Sequence, residues 1–172
     1  MDLPRTLGLE PSSPNHAQRA LQQVAASRPG AWVLSRMLHH LDQRLMRLSK
    51  GRLSAPGSVT GLPTVLLTTT GARSGLPRFS PLVGLPHGED VVLLGTGWGQ
   101  HRTPSWVHNL DADPRAKLSS GGTEIAVDAR RAAPEELPGI WETARELFRG
   151  YAEYPSRASH RDIAVFVLSA AG

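Results

Sequence analysis

From residue 63 onward the chain is built of short apolar runs cut by turn residues, and that pattern narrows the fold more than any other feature. Pro63-Thr-Val-Leu-Leu-Thr-Thr-Thr70 is dense in β-branched side chains and ends on Gly71-Ala-Arg-Ser-Gly75. Branching at Cβ disfavours a helix and suits a pleated surface, so the run reads as a strand and the glycine-bracketed segment as a turn. The pattern repeats. Arg78–Pro86 returns as a second strand, in which Pro81 marks an edge or a bulge because proline cannot donate to an interior ladder. His87-Gly-Glu-Asp90 turns into Val91–Thr96, Gly121-Gly122 joins Arg115–Ser120 to Thr123–Ala132 as a two-residue hairpin loop, and Ile163–Leu168 is a final strand. Helices are few: Pro104–Asp111, with Thr103 as cap and Pro104 as first residue, and Glu135–Gly150 with a break at Pro138. Six short strands, mostly joined by hairpins, predict a mainly β single domain, an antiparallel barrel or sheet with helices packed outside.

The 172 residues, 40% hydrophobic and 20% charged, suffice for one ordinary core. There is no cysteine, which excludes disulfides, thiolate nucleophiles and Cys-ligated metals, so any redox chemistry must come from a bound cofactor. No run is long enough to span a bilayer and the opening residues lack a signal-peptide stretch, so the expected location is the cytoplasm. Met1–Pro14 reads as a flexible lead with no role in the core, and Asn15–Ser27 as a short helix. Leu34, Met37, Leu38, Leu41, Leu45 and Leu48 then recur at helical spacing among Arg36, Arg44 and Arg47, a basic amphipathic helix over 30–50. Its basic face is either solvated or set against an anionic membrane surface. The net charge of +4 sits here: residues 1–52 hold eight cations against three acids, and the remainder is one negative charge in excess. A near-neutral body argues against a nucleic-acid module.

Three segments can carry chemistry. In Thr70-Gly-Ala-Arg-Ser-Gly-Leu-Pro-Arg78, backbone N–H groups, the Ser74 hydroxyl and the guanidiniums of Arg73 and Arg78 can converge on a phosphate or carboxylate; the plain alternative is a solvated hairpin. Gly95-Thr-Gly-Trp-Gly-Gln-His-Arg-Thr-Pro-Ser-Trp106 offers glycines for close approach to a flat ligand, with Trp98 and Trp106 beside it; the alternative is a loop with Trp106 as core anchor. Phe148, Tyr151 and Tyr154 share a helical face and either pack in the core or line a planar ligand. His101 and His108 lack metal-ligand spacing and, like His39-His40, read as surface imidazoles. No nucleophile elbow or Walker turn supports hydrolysis or phosphoryl transfer.

Thr68-Thr-Thr-Gly-Ala-Arg-Ser-Gly-Leu-Pro-Arg78, followed by Pro81-Leu82 and by Pro104-Ser-Trp-Val-His-Asn-Leu-Asp-Ala-Asp-Pro114, resembles the deazaflavin-dependent nitroreductase and quinone reductase family of actinobacteria, split β-barrels that use coenzyme F420. The resemblance covers roughly Trp32–Leu168 and implies a flavin-mononucleotide-binding-reductase-like barrel over 29–172, preceded by a flexible or partly helical lead over 1–28. It also implies site residues. Ala72, Arg73, Ser74 and Arg78 match the turn that holds the coenzyme's phosphate and polyglutamate tail. Phe79, Ser80, Pro81, Leu82 and Val83 match the strand under the deazaflavin ring, and Leu94, Gly95, Thr96 and Gly97, with Trp98, the strand end and loop beside it. Ser105, Trp106, His108 and Asn109 match the helix start that closes the cofactor groove. Tyr151 matches a tyrosine at the junction of cofactor and substrate, with Phe148, Tyr154 and Trp98 facing the substrate. The chain departs from some relatives in having Gly97 where they carry lysine, and Val83 or Phe148 where they carry tyrosine.

The implied activity is hydride transfer from reduced deazaflavin to an electrophilic small molecule such as a quinone, an enone or a nitro compound, with Tyr151 as proton donor or clamp. Two other readings stand beside it: the same barrel carrying FMN or haem, and a non-catalytic carrier of a hydrophobic ligand at a membrane surface. The implied assembly is a monomer or a homodimer.

Overall fold

A computed structural model describes residues 1–9, 62–96, 102–147 and 163–172. Among the described residues the elements run α1 (Leu3–Thr6), β1 (Thr64–Thr70), β2 (Pro77–Val83), β3 (Leu85–His87), β4 (Asp90–Leu94), α2 (Ser105–Ala112), β5 (Arg115–Ser120), β6 (Thr123–Arg131), α3 (Leu137–Leu147) and β7 (Val165–Ala170). The seven strands form one antiparallel sheet in the order β2-β1-β5-β6-β7-β4-β3.

That order carries the architecture. β2 and β3 lie at opposite edges of the sheet, yet only Gly84 separates them in sequence. A seven-stranded sheet whose outer strands are joined by one residue must curl until its edges nearly meet, which makes a split barrel. Gly84 is buried at this seam, its N–H bonded to the Pro63 carbonyl at 2.9 Å. A Cβ there would lie 3.2 Å from Val65 Cγ1, 3.2 Å from Val91 Cγ1 and 3.3 Å from Leu9 Cδ1, so glycine is what lets the two edges come together. The single return strand expected over Arg78–Pro86 is therefore two strands that part company at Gly84. Pro81 lies on edge strand β2, where a missing N–H is tolerated.

Alternation along the strands sorts the core into two layers. Val65 and Leu67, Val91 and Leu93, Ala116 and Leu118, Val127 and Ala129, and Phe166 and Leu168 fill the barrel interior with Trp106, Val107 and Leu110 of α2. Val92 and Leu94 of β4 and Val165 and Val167 of β7 face the other way, against Ile140 and Ala144 of α3. Burial on both faces explains the unbroken apolar runs of these two strands. The hairpin loop at Gly121 (φ 57°) and Gly122 (φ 92°) has both residues left-handed, as a type I′ turn requires.

Three sequence expectations are corrected. The opening residues are part of the core: Leu3, Leu7 and Leu9 are 0, 3 and 1% exposed in the barrel interior. Asp2 accepts from the Arg5 N–H at 2.9 Å to cap α1, and the Leu3 N–H donates to the Glu89 carbonyl at 2.9 Å. Pro4, one of the prolines that suggested a loose lead, instead lies at the start of a helical turn that sets Leu3 and Leu7 on one face. Pro104, rather than Thr103, caps α2, and no side chain bonds there. Pro138 falls in the first turn of α3 and breaks nothing. The expected helices over 15–27 and 30–50 lie outside the described residues.

Candidate functional site

The β1–β2 turn is held by its own backbone. The Gly71 N–H donates to the Leu76 carbonyl at 2.9 Å, and the Ser74 and Gly75 N–H groups both donate to the Gly71 carbonyl, at 3.1 and 2.8 Å. The Leu76 N–H reaches Ser74 Oγ at 3.3 Å, and the Ala72 N–H points inward to Asn109 Oδ1 at 3.0 Å. Most of the turn's N–H groups are thus satisfied within the protein, so the turn is not the open cradle of amides that its glycines suggested. What it presents outward is side chain. Ala72, Arg73, Ser74 and Arg78 are all exposed, and Arg78 Nη2 donates to Ser74 Oγ at 3.2 Å, which sets one guanidinium beside the hydroxyl. A Cβ at Gly71 would sit 2.7 Å from that same Oγ, so only glycine leaves room for the Ser74–Arg78 pair.

The described arginines divide into those that face a carboxylate and those that do not. Arg115, Arg130 and Arg131 each face a carboxylate, Asp113 at 3.0 Å, Glu136 at 2.7 Å and Asp111 at 2.7 Å. Among the described residues neither Arg73 nor Arg78 has an ion pair, and nor do Arg5, Arg102 and Arg145. Arg73 in the exposed turn and Arg78 at the start of β2 lie five positions apart, and their planar forks match the oxygens of phosphate or carboxylate. Asp113 marks the far end of α2. Its carboxyl is held below its ordinary range chiefly by the Arg115 side chain, then by the Arg115 N–H, with Thr70 at the end of β1 adding to the effect.

The other candidate residues fall into separate groups. Successive residues of β2 face opposite sides, so Phe79, Pro81 and Val83 share one side and Ser80 and Leu82 the other. Leu82 packs against the barrel interior and Val83 against the outer layer with α3. Leu94, Gly95 and Thr96 are buried; the Gly95 N–H donates to the Ala164 carbonyl at 2.7 Å, and a Cβ there would lie 3.0 Å from that oxygen and 3.1 Å from Val107 Cγ2. The close approach at Gly95 is therefore to β7 and α2. On α2, Ser105 and His108 are exposed, Asn109 is buried, and Trp106, 4% exposed, meets Phe166 edge-on with centroids 5.8 Å apart. Gly97, Trp98, Phe148, Tyr151 and Tyr154 lie outside the described residues, as does His101. The segment that carries the last three aromatics leaves from Leu147 and returns at Ile163, and both of these pack in the outer layer that includes Val83 and Leu94. Among the described residues no group of acidic and histidine side chains could hold a metal.

The role of Thr69 escaped the sequence reading, and Gly71 was read there only as a turn glycine. Thr69, 3% exposed, accepts from Asn109 Nδ2 at 3.0 Å, and Gly71 makes room for Ser74. A hydroxyl at an inward position of an alternating strand was the available signal for Thr69.

A curled antiparallel sheet whose two edge strands are joined through Gly84 defines the class as a split-barrel protein. The model of the F420H(2)-dependent quinone reductase family matches residues 40–170, and the chain belongs to that family, whose members are oxidoreductases. It is 32% identical over 149 residues to an F420H(2)-dependent quinone reductase of Mycobacterium tuberculosis, covering 79% of this chain and 97% of that protein. A solved structure described as an F420-H2 dependent reductase, FDR-A, is 33% identical and covers 62% of this chain and 94% of its own, with a TM-score of 0.57. Another, described as a domain-swapped dimer, is 30% identical and covers 82 and 99%, with a TM-score of 0.60.

Proposed function

We propose that this protein is an F420-dependent quinone reductase in which the β1–β2 turn seats the coenzyme's phosphate and acidic tail. The observation that carries this reading is the pair of exposed guanidiniums, Arg73 and Arg78, without an ion pair among the described residues, at a turn whose backbone N–H groups are mostly satisfied. When bound, the reduced deazaflavin supplies a hydride from its ring carbon. The quinone takes up that hydride, two electrons and one proton, and needs one further proton at oxygen to become the hydroquinone. Tyr151 is the residue assigned to hold or deliver that proton, with Phe148, Tyr154 and Trp98 as apolar walls for the acceptor. Phe79, Pro81 and Val83 share the side of β2 that faces away from the barrel interior, and they are the part of that strand suited to lie under a flat ring. The buried Trp106 contributes by anchoring α2, which carries Ser105, His108 and Asn109.

Fluorescence titration with oxidised F420, run beside FMN, tests the assignment. F420 should bind, FMN should bind far more weakly, and Arg73→Ala should weaken F420 by about tenfold or more. Preferential binding of FMN or haem would move the protein to the other cofactor branch, and binding of none would leave the hydrophobic-ligand carrier. Tyr151→Phe should lower quinone turnover without weakening F420; unchanged turnover would remove the proton-donor role.

Among the described residues no helix is long and apolar enough to cross a membrane. The basic helix expected over 30–50 is the part proposed for peripheral contact with the inner membrane face, where a lipid-soluble quinone is found. The domain-swapped relative supports a homodimer over a monomer, which light scattering on the purified protein decides.

A further inference from the structure

Asn109 sits mid-helix on α2, is 6% exposed as a residue, and has both ends of its amide engaged. Oδ1 accepts from the Ala72 N–H at 3.0 Å, and Nδ2 donates to Thr69 Oγ1 at 3.0 Å. The orientation is forced, since a backbone N–H can only donate and so demands the carbonyl end. One side chain therefore ties a helix to the last inward residue of β1 and to the first residue of the exposed turn beyond it.

We propose that Asn109 is a positioning residue for the anion-receiving turn and touches no ligand itself. By drawing the Ala72 N–H inward it holds the start of the turn against α2, so that Arg73 and Ser74 face outward beside Arg78. Without it the turn keeps its own bonds, from Gly71 to Leu76 and from Ser74 and Gly75 to Gly71, but loses its anchor to the body. The guanidiniums then spend more of their time away from the geometry that receives an anion, and the cost falls on the acidic tail of the ligand rather than on its ring. Asp is no substitute, because it would place a negative charge behind the turn. Leu keeps the volume and removes both bonds.

This inference rests on the reading of the turn as the seat of the coenzyme's tail, and the experiment separates the two. Binding of F420 and of the same deazaflavin riboside without phosphate and tail is measured for the wild type, Arg73→Ala, Asn109→Leu and Thr69→Val. Asn109→Leu should bind F420 about tenfold more weakly and the tailless form within about twofold of wild type, with Thr69→Val falling between wild type and Asn109→Leu. If the wild type binds both forms equally, the turn is not the tail's seat and the reading beneath the inference fails. If Arg73→Ala loses the preference for F420 while Asn109→Leu or Thr69→Val keeps it, the seat stands and the positioning role is overturned. Equal weakening of both forms in Asn109→Leu would likewise overturn it, since that is the mark of general structural damage. Should Asn109→Leu not fold, Thr69→Val alone decides.

Discussion

The guanidinium carbon of Arg131 lies 5.1 Å from the centroid of the Phe166 ring, with its charge over the ring face. The same guanidinium grips Asp111 through Nε at 2.9 Å and Nη2 at 2.7 Å, and Phe166 also meets Trp106 edge-on. A line of contacts thus runs from the surface through β7 to the interior and fixes α2, the helix that carries Asn109. Arg131→Lys keeps the charge but loses the fork and the planar stack. It should cost about 1 kcal/mol, read as a lower urea midpoint at unchanged slope.

Removing residues 1–9 should destabilise the barrel strongly, since it empties three leucine sites in the interior. Leu3→Ala alone should cost about 2–5 kcal/mol, as for other fully buried leucines. Thermal unfolding checks both, and a truncated protein that melts like the full chain would show the segment to be dispensable.

Gly84→Ala drives a methyl group into Val65, Val91 and Leu9 at the seam of the barrel. The expected loss is about 1–3 kcal/mol in denaturant unfolding, as for other overpacked sites.

Gly71→Ala acts on the ligand instead. Its Cβ would lie 2.7 Å from Ser74 Oγ and push the hydroxyl off Arg78. F420 binding should weaken by about tenfold, checked in the same fluorescence titration.

Glu136 accepts both Nη atoms of Arg130 at 2.7 Å and the Ala133 N–H at 2.7 Å. These bonds, the Arg130 guanidinium foremost, pull its carboxyl from an ordinary 4.5 down to about 2. A folded-state value below the unfolded one stabilises the protein fully above about pH 4.5, and the benefit drains away as pH falls towards 2. Glu136→Gln should therefore lower the melting temperature at pH 7 and match the wild type near pH 2; a difference independent of pH would rule this ion pair out as its source.

Most strands of the sheet were legible because they announce themselves locally, by branching at Cβ in Thr64–Thr70 or by glycines at 121 and 122. What stayed hidden depends on distant partners. Gly84 looks like the middle of one strand until the sheet order places its two neighbours at opposite edges. Leu3 and Leu7 look like part of a proline-broken lead until the barrel interior receives them. At the site, the exposed Arg73 and Arg78 were readable from charge and turn chemistry. That the turn's amides are consumed internally was not, because the Asn109 bond to Ala72 spans 37 positions. The sidedness of Phe79–Val83 follows from strand alternation once the pairing with β1 is known.

β7 pairs with β6 on one side and β4 on the other, and among the described residues no other strand connects the β2-β1-β5-β6 half of the sheet to the β4-β3 half. It is also the last of the seven in sequence. During synthesis the two halves must wait as open-edged fragments, with the apolar flanks of β4 and β6 unpaired, until Val165–Ala170 has left the ribosome and slots between them. The segment that carries Tyr151 immediately precedes this strand. A chain that stalls before β7 thus lacks both a closed sheet and a fixed far end for the segment that carries Tyr151.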